Sequence, residues 1–136
     1  MRYHHLAFVV LALAACRQDA PKPIATIREA LPGLPLPPEA KVLFRAGTPE
    51  ALQITFQSMW APDSLTDFYR AVFSSGEWTL ESDVVDAQGA SVLYATREGP
   101  PIWVYITRNV GGPGSRIQIS GAVVTPKPVK KADSGG

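Results

Sequence analysis

The chain has 136 residues, enough for one small globular domain with flanking segments, and a formal net charge of +1. A chain so close to neutral lacks the basic footprint of a nucleic-acid binder, and neutrality argues equally against a strongly basic membrane-surface protein. Its single cysteine excludes an internal disulfide framework.

The N-terminus reads as an export signal. Met1 to His5 supplies Arg2 and the α-amino group as a positive region, and Leu6 to Leu13 is a continuous apolar run. As a helix that run spans roughly 12 Å, far short of a hydrocarbon core of about 30 Å, so it does not serve as a stable membrane span. Ala14 and Ala15 are the small residues a signal peptidase accepts, and Cys16 follows directly. Leu13-Ala14-Ala15-Cys16 resembles the bacterial lipobox at every position. The resemblance implies cleavage before Cys16, a signal peptide over residues 1–15, and a diacylglyceryl group and an N-acyl chain on Cys16. One acyl chain binds a membrane with a constant of only about 10⁴ M⁻¹, whereas two or more anchor it durably. In Gram-negative lipoproteins an Asp after the cysteine retains the protein in the inner membrane. Arg17 stands there instead, which implies the outer membrane, facing the periplasm.

That cut has chemical consequences. Both histidines, His4 and His5, would leave with the signal peptide, and lipid would block the only thiol. Zinc and copper sites built on Cys or His are then excluded, as are Ser-His-Asp and Cys-His nucleophile arrangements. Neither a metal nor any other cofactor is expected, and the domain must be held by burial alone.

Residues 16–38 follow as a lipidated cysteine and a tether carrying Pro21, Pro23, Pro32, Pro35, Pro37 and Pro38. Proline at this density removes backbone donors and imposes extended geometry on preceding residues. Residues 17–38 reach roughly 25 Å as a flexible coil and nearly 70 Å as polyproline II. The spacer reading stands beside a polyproline ligand for a partner, and Leu34 to Pro38 is also suited to lie along the domain as a strap.

The folded domain is expected over residues 39–124. Lys41–Arg45 reads as a short strand, and Gly47-Thr48-Pro49-Glu50 as a turn. Ala51–Trp60 alternates, with Leu52, Ile54, Phe56 and Trp60 on one face. Asp63 or Ser64 is placed to cap a helix whose Leu65, Phe68, Tyr69, Val72 and Phe73 make one apolar stripe ended by Gly76. Four strands follow: Trp78–Val85, Ala90–Arg97, Ile102–Asn109 and Arg116–Val124. Their short connections predict an antiparallel meander. The order ββαββββ predicts an α+β fold, a two-layer sandwich with one amphipathic helix packed on a mainly antiparallel sheet. Residues 125–136, rich in Pro, Lys and Gly, read as a disordered tail, with weak attraction to anionic lipid or cell wall as its alternative.

Three segments carry a second resemblance: Pro38-Glu39-Ala40-Lys41, Asp67-Phe68-Tyr69-Arg70 and Gly76-Glu77-Trp78. Together they look like a small, uncharacterised lipoprotein domain of bacterial envelopes, over about residues 35–124. The resemblance implies packing roles for Tyr69, Gly76 and Trp78 and brings no catalytic residues. The helix-on-sheet layout is also similar, as a fold analogy only, to domains in a lipoprotein of the outer-membrane β-barrel assembly machine.

Few residues invite a chemical role. Glu81, Asp83 and Asp86 do not make a calcium loop, which takes six to eight oxygens from a tight run, and alternation predicts Glu81 and Asp83 on a solvated strand face. Gly111-Gly112-Pro113-Gly114 joins two strands and opens no helix, so it is not a phosphate loop. Ser74, Ser75, Tyr69 and Lys41 have no motif context that would activate them. The meander, however, is apolar on both faces. Ile102, Val104 and Ile106 oppose Trp103 and Tyr105, and Val92 and Tyr94 oppose Leu93 and Ala95. Trp103, Tyr105 and Leu93 are therefore the candidate interaction patch, because exposed aromatics carry much interface energy; cover by the strap or ordinary cross-strand packing is the alternative.

The chain thus reads as a membrane-anchored envelope lipoprotein, non-catalytic, whose domain serves as a protein-interaction module. Its partners would be the bilayer, through acylated Cys16, and another envelope protein. The alternative is a periplasmic small-ligand carrier using a hollow between helix and sheet.

Overall fold

A computed structural model of the protein describes residues 31–122. The signal segment, Cys16, the tether as far as residue 30, positions 123 and 124 and the tail lie outside the described residues. The elements run β1 (Lys41–Thr48), β2 (Ala51–Ser58), α1 (Pro62–Phe73), β3 (Thr79–Val85), β4 (Ser91–Thr96), β5 (Ile102–Arg108) and β6 (Ser115–Gly121). The architecture is α+β: one helix packs on an open six-stranded sheet of order β1-β2-β6-β5-β4-β3, antiparallel at every step. Strands β3 to β6 form the meander, and β2 closes onto β6 to bring in the β1–β2 hairpin.

Helix α1 starts from Ala61, with Pro62 in the first turn and no side-chain cap. Asp63 and Ser64, expected as caps, lie inside the first turn instead. Proline favours that first position because its φ is preset and it has no N–H to leave unpaired. Asp63 near the N-terminus and Arg70 in the last turn both suit the helix dipole. The helix lies over β3, β4 and β5. Leu65, Tyr69 and Phe73 are fully buried against Leu93, Val104, Ile106, Ile117 and Ile119 of the sheet's inner face, with Phe68 and Val72 packed at the margin. At roughly 1.5–3 kcal/mol for each large apolar side chain taken out of water, this stripe holds the two layers together.

Strand β2 ends at Ser58, and Trp60 lies in the turn beyond it, partly exposed and edge-on to Phe68 at 5.9 Å. It was expected to continue the buried face of Leu52, Ile54 and Phe56; Ser58 occupies that place instead. The chain turns there because the Ser58 hydroxyl accepts the Trp60 N–H at 3.1 Å, ending the ladder.

The last part of the expected tether belongs to the folded unit. Leu31 and Leu34 are buried in the core and Leu36 packs against it. Arg97 fixes this strap: its Nη1 donates to the Pro32 carbonyl, and its guanidinium stacks 4.2 Å from the Trp78 ring centroid. Burial holds the Arg97 guanidinium below the ordinary arginine range. Trp78, itself buried, donates to Gly33 at 3.5 Å. The strap therefore runs on the helix side, and among the described residues nothing covers the other face of the sheet.

One core group is poorly matched. The Tyr69 hydroxyl is buried and meets no hydrogen-bond partner among the described residues, and burial pushes its ionisation far above the ordinary phenol value. A buried donor left unpaired costs about 1–3 kcal/mol. Tyr69→Phe is expected to raise stability by about 1 kcal/mol, read as a higher urea midpoint with an unchanged slope.

Candidate functional site: the uncovered sheet face

Strand pairing sets which side chains share this face. Tyr94 pairs with Trp103, Trp103 with Ser120, and Ser120 with Gln53. The next row on the same face runs Val84, Val92, Tyr105, Gln118, Thr55 and Phe44. The surface thus has aromatic and apolar groups on the β3–β5 side, a band of neutral amides and hydroxyls over β6 and β2, and Phe44 at the far edge.

Trp103 is the most exposed aromatic in the middle of the face, at 45%. It lies tilted on Tyr94 with ring centroids 4.7 Å apart and planes at 32°. A groove of about 460 Å³ opens beside it. Leu52, Pro100 and Pro101 line its apolar side, and Glu50, Gln53 and Ser120 supply polar atoms. The space between helix and sheet, where the alternative carrier reading would need its hollow, is filled by Leu65, Tyr69 and Phe73.

Tyr105 shares the face but is already committed. Its hydroxyl donates to Asp86 Oδ2 at 2.9 Å, while Asp86 Oδ1 accepts the Gln88 and Ala90 amides, each at 2.9 Å. The Ala90 amide, followed by the Tyr105 hydroxyl and the Gln88 and Gly89 amides, holds the Asp86 carboxyl below the usual carboxylate range; the same bond to Asp86 raises Tyr105. Tyr105 therefore buttresses the β3–β4 turn and is only partly exposed on this face.

Leu93 does not belong to this patch. It pairs with Val104, is fully buried and faces the helix. Alternation within a strand separates its two faces, but only the pairing between strands decides which faces coincide. Tyr94, one residue on, takes the place beside Trp103.

The acids are also distributed differently from expectation. A bulge between Leu80 and Ser82 adds one residue to β3, which turns Asp83 to the helix side. There it receives Arg70 through both carboxylate oxygens, while Arg70 Nη1 also donates to Asp67 at 3.0 Å. Glu81, at the bulge, accepts the Thr96 hydroxyl at 2.8 Å. All three acids thus tie elements together: Asp83 to the helix, Glu81 to β4 and Asp86 to Tyr105 of β5.

Comparisons with protein-family models, with curated proteins and with solved structures return no match. The site is read from its own geometry. Among the described residues no group of three or more His, Cys, Asp or Glu side chains is placed to hold a metal, and no helix is long and apolar enough to cross a membrane.

Tyr94, Gln53 and Ser120 were not singled out from the sequence. Tyr94 carried a usable signal, since it alternates with Leu93 and Ala95. Gln53 and Ser120 carried none, because the β2–β6 pairing joins segments more than fifty residues apart.

Proposed function

We propose that the protein is a lipid-anchored envelope module without catalytic activity, which binds a protein partner through the uncovered sheet face. The observation that carries the reading is Trp103, half exposed on Tyr94 at the mouth of a groove with Gln53 and Ser120. A rigid aromatic pair flanked by neutral hydrogen-bonding groups is the make-up of an interface centre. The anchor rests on Leu13-Ala14-Ala15-Cys16 and the location, the outer membrane facing the periplasm, on Arg17.

The groove's volume favours a second reading, a small-ligand carrier that seats its cargo against Trp103. The two readings differ in the size of what is held.

In-cell crosslinking of the tagged lipoprotein, followed by capture, tests the proposal. Trp103→Ala is expected to reduce capture of the crosslinked protein at least tenfold, the loss of a central anchor. Its own stability should fall by only about 1 kcal/mol, the worth of the aromatic pair with Tyr94. Undiminished capture would overturn the protein-binding reading, and a low-molecular-weight adduct lost with Trp103 would favour the carrier. In the same cells, fatty-acid label should appear on wild type and vanish in Cys16→Ser; equal label on both would sink the anchor.

A further inference from the structure

The two edges of the sheet, β1 and β3, have opposite charge. Strand β1 contains Lys41 and Arg45 and no acid, while β3 contains Glu81 and Asp83 and no base. Both edges also expose apolar side chains: Val42, Leu43 and Phe44 on one, Val84 and Val85 on the other. Paired residues run in unbroken rows from edge to edge. One row reads Arg45, Ile54, Ile119, Val104, Leu93, Asp83, with a base at one end and an acid at the other.

We propose that copies of this chain associate head to tail, β1 of one copy extending the sheet of the next by pairing antiparallel with its β3. Strand direction alternates at each step, and six is an even number, so β1 and β3 run oppositely. A second copy facing the same way therefore continues the antiparallel alternation with its helix on the same side. The alternation of hydrogen-bonded and non-hydrogen-bonded pairs along a row also stays in phase for an even number of strands.

Continuing the rows into a second copy matches like with like and charge with countercharge. Phe44 meets Val84 on the outer face, Val42 meets Val85 on the inner face, and Arg45 meets Asp83. Ala46 meets Ser82 on the outer face, one step beyond Arg45. The extra residues of the two bulges, Leu43 and Glu81, fall just outside the three consecutive pairs from Phe44–Val84 to Ala46–Ser82. Bulges commonly blunt sheet edges, but here they leave this central stretch open.

The electrostatics favour the same pairing. Asp67 and Asp83 share the single guanidinium of Arg70, so these three groups carry one net negative charge. Arg45 has no ion-pair partner among the described residues, and placed opposite Asp83 it balances the cluster. A symmetric β1–β1 contact would bring Lys41 and Arg45 of both copies together, and β3–β3 would bring the acids together; like charges across strands are unfavourable. A head-to-tail contact of this kind closes into a ring or grows as a filament. Successive Trp103 sites would then repeat every 29 Å or so, about six strand spacings. The inference does not depend on what the outer face binds.

Sedimentation velocity on the full chain carrying Cys16→Ser, across a hundredfold range of concentration, tests it. The average mass is expected to rise with concentration past that of a dimer, and Arg45→Glu should weaken the association at least tenfold. In the same background, Ala46→Cys mixed with Ser82→Cys is expected to give a disulfide-linked dimer on mild oxidation, while each variant alone remains uncrosslinked. The mixed disulfide also decides the matter should Arg45→Glu fail to fold. A monomer at every concentration with no mixed disulfide would overturn the proposal. So would Ala46→Cys crosslinking with itself as readily as with Ser82→Cys, which would mean a symmetric β1–β1 contact.

Discussion

Leu93→Ala is expected to lower stability by about 2–5 kcal/mol, with loss of cooperative unfolding in the more severe part of that range. Leu93 is fully buried between Val104 on the neighbouring strand and the helix layer. Truncation removes its transfer free energy and leaves a cavity that flanking strands, held in a continuous ladder, cannot collapse to fill. A urea titration followed by tryptophan fluorescence measures it, with the slope confirming that the unfolded ensemble is unchanged. The contrast with Trp103→Ala is diagnostic: a large loss at Leu93 and a small one at Trp103 assign the two residues to opposite faces. Equal effects would contradict the pairing of β4 with β5.

Gly114→Ala is expected to cost about 3 kcal/mol or more, through two additive causes. Gly114 has φ near +84°, which a side chain disfavours, and an added Cβ would lie 2.1 Å from the Ser58 carbonyl oxygen and 2.9 Å from Met59 Cα. Those are backbone atoms, so relief requires moving the end of β2 away from β6. That movement would also disturb the bond from the Ser115 hydroxyl to the Trp60 carbonyl at 2.7 Å. Gly89→Ala separates the causes, since Gly89 has a similar φ of +83° but nothing within 4 Å of the added carbon. It should cost about 1 kcal/mol from backbone strain alone. Thermal melts of the two variants should differ by roughly 8 °C or more for a domain of this size. Matching melts would mean the close approach of β6 to the β2–α1 turn is absent.

Much of the fold was legible in the chain. The stripe of Leu65, Tyr69 and Phe73 announced one helix by its period, and the turn residues Asp86 to Gly89 and Gly111 to Gly114 separated strands whose observed ends differ from expectation by a few residues at most. The helix start was misread because Asp63 and Ser64 are good caps in isolation, whereas Pro62 already sets the first turn. Trp60 was misread because alternation carries no stop signal of its own; the Ser58 hydroxyl supplies it. A strap from Leu34 to Pro38 was one option for the tether's end, but Leu31 looks like an isolated apolar residue before Pro32 until the core is seen to receive it.

The candidate site was less legible. Trp103 and Tyr105 were placed on one face by their spacing alone, but Leu93 was joined to them although its true neighbour is Val104. The bulge at Glu81 likewise turned Asp83 toward Arg70, a change of face that one inserted residue produces and no local pattern announces.

By itself, then, the sequence determined the element types and their order, because period and turn chemistry act within a few residues. It also carried the lipobox resemblance of Leu13-Ala14-Ala15-Cys16, a linear signal that needs no fold. Only the tertiary structure decided which faces coincide: that Tyr94 supports Trp103, that Gln53 and Ser120 border its groove, and that Arg45 and Asp83 end the same row at opposite edges. Those relations are set by the register between distant strands. Register is fixed by burying the helix-side apolar residues of all the strands together, a condition on the whole sheet rather than on any one segment.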